Sequence, residues 1–411
     1  MATNKSKKTT EEQRKLRKEV VKSAIRASNR PRNVRELGIS TLKNLPANIG
    51  MVQNFMKAVN WKQAQDEVLQ GLNNTVVIVG QPNTGKSTLF NKLKGQNLSQ
   101  VSPQEGTTHT LVRTDFGPFT LVDTPGIDAP GKLSDIAQTG LEQASMIVFL
   151  IDASKGFQTR DRELYDVINK QNKPTIIAVN KIDTLKGGEG GDQLATEIAV
   201  ALDAVGVIPV SAKDGTNIAE ELVPAMIEAS PEAALVIGRE LPPFRRDAAQ
   251  RIIRNATLLS LAAGLEPIPL VDIPILLGIQ IRLVLRIAAL YGESMNSADA
   301  MKHARELIVT MAGGLGLRYL AEQAAKVVPF GGDFVAGAIA GGATWSIGEV
   351  ALEYYEGGKR VQPGSLRQRY NEIYNRFRKN NTPQDLRKQL LDGSSGPVPL
   401  EVPKPKETIQ D

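Results

Sequence analysis

Directly behind a short β-branched run, Thr75-Val76-Val77-Ile78-Val79, stands Gly80-Gln81-Pro82-Asn83-Thr84-Gly85-Lys86-Ser87, followed by Thr88-Leu89-Phe90-Asn91-Lys92. No other stretch limits the fold as strongly. The run reads as a buried strand. The two glycines let backbone N–H groups turn inward around an anion, and a helix beginning near Lys86 aims its positive end at the same place. Lys86 adds a compact charge, and the Ser87 hydroxyl can sit on Mg²⁺. The pattern G-x-x-x-x-G-K-[ST] between strand and helix predicts a phosphate cradle built from Gly80, Asn83, Thr84, Gly85, Lys86, Ser87 and Thr88. The competing reading, a glycine turn with a chance lysine, does not account for that context.

The next motifs bear on which nucleotide sits there. Phe119-Thr120-Leu121-Val122-Asp123 is a second strand running into Asp123-Thr124-Pro125-Gly126. A carboxylate at a strand's C-terminal end suits a water-linked Mg²⁺ ligand, and the Gly126 N–H can reach a terminal phosphate. Thr175 to Val179 runs into Asn180-Lys181-Ile182-Asp183. The Asp183 carboxylate can accept two N–H bonds from guanine, a donor pair adenine lacks. The Lys181 stem can lie on the base, and after Val207-Ile208-Pro209-Val210 the Ser211-Ala212-Lys213 loop can offer the Ala212 N–H to the guanine oxygen. Met146 to Asp152 reads as a buried central strand, and Thr110 to Asp123, broken at Gly117-Pro118, as a hairpin. The expectation is an α/β domain with a mostly parallel six-stranded sheet, one edge strand antiparallel, and helices on both faces.

In this order and spacing, these four motifs resemble the translation-factor-class P-loop GTPases of the Era/MnmE/EngA type over about residues 71–230. The resemblance implies hydrolysis of GTP to GDP and phosphate with Mg²⁺. It also implies a switch threonine within Gly106-Thr107-Thr108, where His109 takes the place of a frequent Arg. On this reading Lys86, Thr108 and Gly126 are the catalytic candidates, and Ser87, Thr108 and Asp123 the metal ligands. Two switch segments, about 99–112 and 124–140, would order around the γ-phosphate. Where Ras-like relatives carry a water-orienting Gln, this chain has Ile127, which cannot hydrogen-bond water. In the MnmE-like branch an Asn at the position of Asn83 helps hold K⁺ near the phosphates. The alternative is that Asn83 fits the turn, since Asn tolerates unusual φ/ψ.

Charge and composition frame the flanks. Among 411 residues there is no Cys and there are two His, which excludes disulfides and makes a His-rich metal site unsupported. Met1 to Arg35 holds 12 Lys/Arg against three Glu, and Arg360 to Lys388 eight against two acids. Basic ends suit an anionic partner, phospholipid or nucleic acid, or else form solvated helix faces. The first 19 residues contain no apolar run of the secretory kind. The 15-residue uncharged run Phe334 to Gly348 is short for a bilayer span. A cytoplasmic protein, or one peripheral on the inner face of the membrane, is expected.

The expected domains are a basic N-terminal helical arm (1–70), a nucleotide domain (71–235), a helical domain (236–392) and a flexible Pro-rich tail (393–411). After Glu240 the strand pattern stops. Arg245 to Leu265, Ile275 to Tyr291 and an amphipathic basic stretch from Leu366 to Phe377 read as helices. Asp272 before Ile273-Pro274 reads as a cap. Gly337 and Gly341 give a small-xxx-small spacing that suits close packing in a soluble bundle or, alternatively, a lipid-inserting hairpin. Gly313-Gly314-Leu315-Gly316 contains a GxxG, but its flanks lack the basic cluster of an RNA loop. The Glu266 to Pro274 and Ile287 to Gly292 stretches resemble the helical domain of the YcjF type. The whole layout resembles immunity-related and dynamin-like GTPases in architecture only. Expected partners are GTP/GDP, an anionic membrane surface and a second copy of the chain. Nucleic acid is the weaker alternative, because aromatics are 5% and stacking platforms scarce.

Overall fold

The structure is a computed structural model, and it describes residues 60–95, 118–123, 135–185, 190–263, 272–297, 299–308, 310, 332–359 and 363–381. Outside these lie the N-terminal arm to residue 59, the tail, the GxxG at 313–316, the Glu266 to Val271 break and the hairpin arm over 110–117 that would have formed the sixth strand.

Five β-branched or aliphatic runs form β1 (Val76–Gly80), β2 (Phe119–Asp123), β3 (Met146–Asp152), β4 (Thr175–Asn180) and β5 (Ile208–Val210). They make one five-stranded sheet in the order β2-β1-β3-β4-β5, with every pairing parallel. The antiparallel edge expected from the sequence falls in the undescribed segment. β1 and β3 are buried at every residue, which is why they read as continuous apolar runs and not as alternating ones.

Helices α1 (Trp61–Gly71), α2 (Lys86–Lys94), α3 (Asp135–Gln143), α4 (Thr159–Asn169), α5 (Gly191–Leu202), α6 (Val223–Ala229) and α7 (Pro231–Glu240) accompany the sheet. Val77, Val79, Ile147, Phe149, Ile151 and Val179 share one core with Leu141 of α3, Leu164 and Ile168 of α4 and Ile198 of α5. Val76, Ile78, Val148 and Leu150 alternate with these along the strands, so they point to the other face, and they are equally buried. The register brings Gly80 opposite Asp123, and Asp152 opposite Asn180. The C-terminal strand ends that carry the motifs therefore lie along one edge of the sheet, where open α/β sheets bind ligands.

The remaining helices are α8 (Arg245–Ala263), α9 (Asp272–Leu290), α10 (Gly332–Glu356) and α11 (Pro363–Asn380), with a further helical stretch over 299–308. The chain divides into two compact units, Asp66–Ile252 with Ala289–Glu293 and the remainder, which includes Ile253–Ala288. α7 and the start of α8 thus belong with the sheet. Asp272 opens α9, and Pro274 falls in its first turn, where the missing N–H costs nothing.

Within the helical unit, small residues serve close packing. A Cβ on Gly341 would lie 2.5 Å from Leu261 Cγ, one on Gly342 2.9 Å from Phe377, and one on Gly348 2.7 Å from Ile253. The apolar side of the basic helix α11 is buried through Leu366, Tyr370, Ile373, Tyr374 and Phe377. Trp345 of α10 lies 6.2 Å from the Phe377 ring, and Arg369 grips Glu353 with bonds of 2.8 and 2.9 Å. Three buried polar groups satisfy one another: Gln280 Nε2 donates to Thr344 Oγ1 at 3.3 Å, and Thr344 Oγ1 donates to Ser260 Oγ at 2.8 Å. Among the described residues no helix is long and apolar enough to cross a membrane.

Candidate nucleotide site

The loop leaving β1 closes on itself through short bonds. Thr84 Oγ1 donates to Gln81 O at 2.9 Å, and Lys86 Nζ donates to Gln81 O at 2.7 Å and Gly80 O at 3.0 Å. Lys86 and Thr84 are buried, whereas Asn83, Ser87 and Thr88 are exposed. α2 starts at Lys86 behind Gly85, so the N–H groups of Lys86, Ser87 and Thr88 lie in its first turn, the end of a helix that carries its positive dipole. An anion in the loop would meet these donors and the Lys86 ammonium together.

Two glycines are required by contact. A Cβ on Gly80 would collide with the Leu150 carbonyl, and one on Gly85 with the Asn180 amide; Gly85 also has φ 92. Asn83 adopts φ 65, so the turn itself gives a reason for asparagine there.

Asn180, almost wholly buried, joins the phosphate loop to the loop after β5. Its Nδ2 donates to Thr84 O at 2.8 Å, and its Oδ1 accepts from Ala212 N at 2.8 Å. The Ala212 N–H expected to face a base oxygen is therefore directed at Asn180. Asp183 follows in a 3₁₀ turn after Lys181, whose φ of 70 reverses the chain. Its Oδ1 accepts from Ser211 Oγ at 2.9 Å, and Lys213 Nζ stands 3.8 Å from its other oxygen. Lys92 of α2 reaches across to donate to Asp214 O at 3.0 Å, which ties the helix behind the phosphate loop to the loop after β5.

Two carboxylates belong to this edge that sequence reasoning assigned to scaffold or passed over. Asp152, at the end of β3, accepts from Lys181 Nζ at 2.7 Å, from Ser154 N at 2.9 Å and from Ser154 Oγ at 2.6 Å. Burial opposes its ionisation, but the bonds from Lys181 and Ser154 outweigh it, and the carboxyl is held below its ordinary range. The signal was its place at a strand end beside Asn180. Asp161, in the first turn of α4, is buried and accepts from Gln81 Nε2 at 2.6 Å. Burial pushes its carboxyl upward, and the Asp152 charge adds to that, against the Gln81 and Gln158 bonds.

Thr107, Thr108, Gly126 and Ile127 lie outside the described residues, as does the side chain of Asp123. Among the described residues no cluster of three metal-ligating side chains exists. A magnesium ion beside a bound phosphate would be held by oxygens from two elements of this edge. Asp123 ends β2 opposite Gly80, and the exposed Ser87 lies in the first turn of α2. A hard, mostly water-bound ion needs only one or two such oxygens beside phosphate.

A family profile described as 50S ribosome-binding GTPase matches residues 75–181, and a second, Domain of unknown function (DUF697), matches residues 230–379. GTPase Era of Aquifex aeolicus is 35% identical over 202 residues, covering 45% of this chain and 67% of that protein. GTPase Der of Alkaliphilus metalliredigens is 42% identical over 119 residues, covering 26% of this chain and 27% of Der. A solved structure of Aquifex aeolicus Era bound to GDP and aluminium fluoride is 33% identical with a TM-score of 0.32, covering 45% of this chain and 66% of that one. The chain thus spans about two thirds of its Era relative and about a quarter of its Der relative. With the phosphate loop, the Asn180 clamp and the Asp183 loop on one sheet edge, the chain belongs to the family of GTPase Era.

Proposed function

We propose that the protein binds GTP with Mg²⁺, hydrolyses it to GDP and phosphate, and passes its nucleotide state to the helical domain (236–392). The observation that carries this is the pair of hydrogen bonds made by the Asn180 side chain, which ties the phosphate loop to the Ser211-Ala212-Lys213 loop. Asp183 stands there to read guanine. Lys86 would leave the carbonyls it now holds and neutralise β/γ-phosphate charge, as the first-turn N–H groups bind phosphate oxygens. Ser87 and Asp123, with Thr108 from the switch, would hold the magnesium, which supplies charge neutralisation at the phosphates. Gly126 would offer its N–H to the γ-phosphate. With Ile127 at the water-orienting position, turnover by the isolated chain is slow, since phosphoryl transfer depends on positioning. K⁺ held beside Asn83 is a candidate for the missing charge. Phosphate release from GTP tests the reading: slow but measurable turnover supports it, and it must vanish with nucleotide binding in Lys86→Ala.

For the partner, we favour an anionic membrane surface met through exposed basic residues, with self-assembly as a further route. Arg367, Arg376, Arg378 and Lys379 of α11 are exposed and support this. Lipid insertion of the Gly-rich helix has no such support, because Gly341, Gly342 and Gly348 pack against protein. A ribosomal partner is the second reading, favoured by the description of the matching family. Flotation with anionic liposomes in the GTP state, set beside cosedimentation with ribosomal subunits, separates the two; protein left at the bottom of the flotation gradient refutes the first.

A further inference from the structure

The phosphate loop is tied to a helix that none of the nucleotide motifs includes. Gln81 is the first variable residue of the loop, and its two polar ends face different ways. Its carbonyl accepts Lys86 Nζ at 2.7 Å and Thr84 Oγ1 at 2.9 Å. Its side-chain Nε2 donates to Asp161 Oδ1 at 2.6 Å. The other carboxylate oxygen accepts the Gln158 N–H at 3.0 Å, which closes the start of α4. Asp161 is only 3% exposed although it lies in a first helical turn, and α4 is anchored in the sheet core by Leu164 and Ile168. Helix-start carboxylates ordinarily face solvent, and their capping bond needs one oxygen. Here the second oxygen is buried and directed at the phosphate loop.

We propose that Asp161 is a positioning residue for nucleotide binding: through Gln81 it fixes the peptide whose carbonyl holds Lys86, and so sets the loop in the shape that receives phosphate. The inference rests on the phosphate-loop reading above and names a residue outside its motifs. A buried amide–carboxylate bond is charge-assisted, and the carboxylate has no water to fall back on if Gln81 moves. Burial pushes the Asp161 carboxyl up, and the bonds from Gln81 and Gln158 act against that shift by favouring the charged form.

The test is a double-mutant cycle on the full chain, with Gln81→Met, Asp161→Asn and the pair, read by the affinity of fluorescent GDP, by kcat and KM for GTP, and by Tm. Asp161→Asn keeps the shape but leaves one oxygen for two donors. Each single change should weaken GDP binding about tenfold, the size of one charge-assisted bond, and the pair should be no worse than the weaker single. Effects that add in full, or an Asp161→Asn protein with wild-type affinity and only a lower Tm, would make Asp161 a helix cap and overturn the proposal. Should Asp161→Asn fail to fold, Gln81→Met leaves α4 intact and carries the test alone: wild-type affinity there refutes the link. If the wild-type chain binds no GDP or GTP, the nucleotide reading fails and takes this inference with it. If the wild type binds and the variants match it, only this inference falls.

Discussion

Asn180 does more with one side chain than any other residue of the site. Its amide satisfies a buried carbonyl of the phosphate loop and a buried N–H of the Ala212 loop at once. Asn180→Ala strands both groups, at about 1–3 kcal/mol each if nothing moves in. The expected outcome is a Tm drop of several degrees together with loss of GDP affinity, measured by calorimetry and fluorescence titration. Asp152 gives a prediction of different form. Its carboxyl is lowered in the folded protein, so the stability it contributes is present above its ordinary unfolded value and is lost as pH falls through the lowered one. The Tm difference between wild type and Asp152→Asn should therefore shrink from about pH 6 toward about pH 3; a difference that grows on acidification contradicts the pairing with Lys181. Lys86, Asn180 and Asp183 were legible in the sequence because spacing alone identifies them. Gln81, Asp152 and Asp161 were not, because a lone polar residue in a strand end or helix start carries no mark of its partner. Only the register beside Asn180 and the burial of α4 supply it.

At the scale of elements, each of the five strands appears at a β-branched or aliphatic run, four of them ending in a motif, and both faces are covered, so their patterns read clearly. The helices were legible in position more than in extent. α9 begins three residues before the expected Ile275, and α11 three before Leu366, because a proline near each start is compatible with the first turn. The Gly-rich stretch was the ambiguous one, since small residues permit close packing in protein and in lipid alike. Contact supports packing in protein within the helical unit: Gly341 lies against Leu261, and Gly342 against Phe377. Gly341→Leu should overpack this contact and lower stability by about 1–3 kcal/mol, measured by denaturant unfolding. A variant as stable as wild type would show that the face is open and would revive the insertion reading.

At the scale of the whole molecule, a GTPase domain is joined to a helical unit whose last helix, α11, exposes Arg367, Arg376, Arg378 and Lys379. Two of its properties depend on what completes the site. Replacing K⁺ by Na⁺ in a turnover assay should slow hydrolysis about tenfold or more if an ion beside Asn83 stabilises developing charge; equal rates would leave Asn83 as a turn residue, for which its φ of 65 already supplies a reason. The central claim, that one carboxylate chooses the base, has a more direct measurement: the affinities of wild type and Asp183→Asn for GTP and XTP, side by side. The account predicts that the variant loses GTP affinity by about a hundredfold or more and gains XTP, because an amide donor can pair with the xanthine oxygen. Unchanged preference for GTP in a folded Asp183→Asn protein would contradict it.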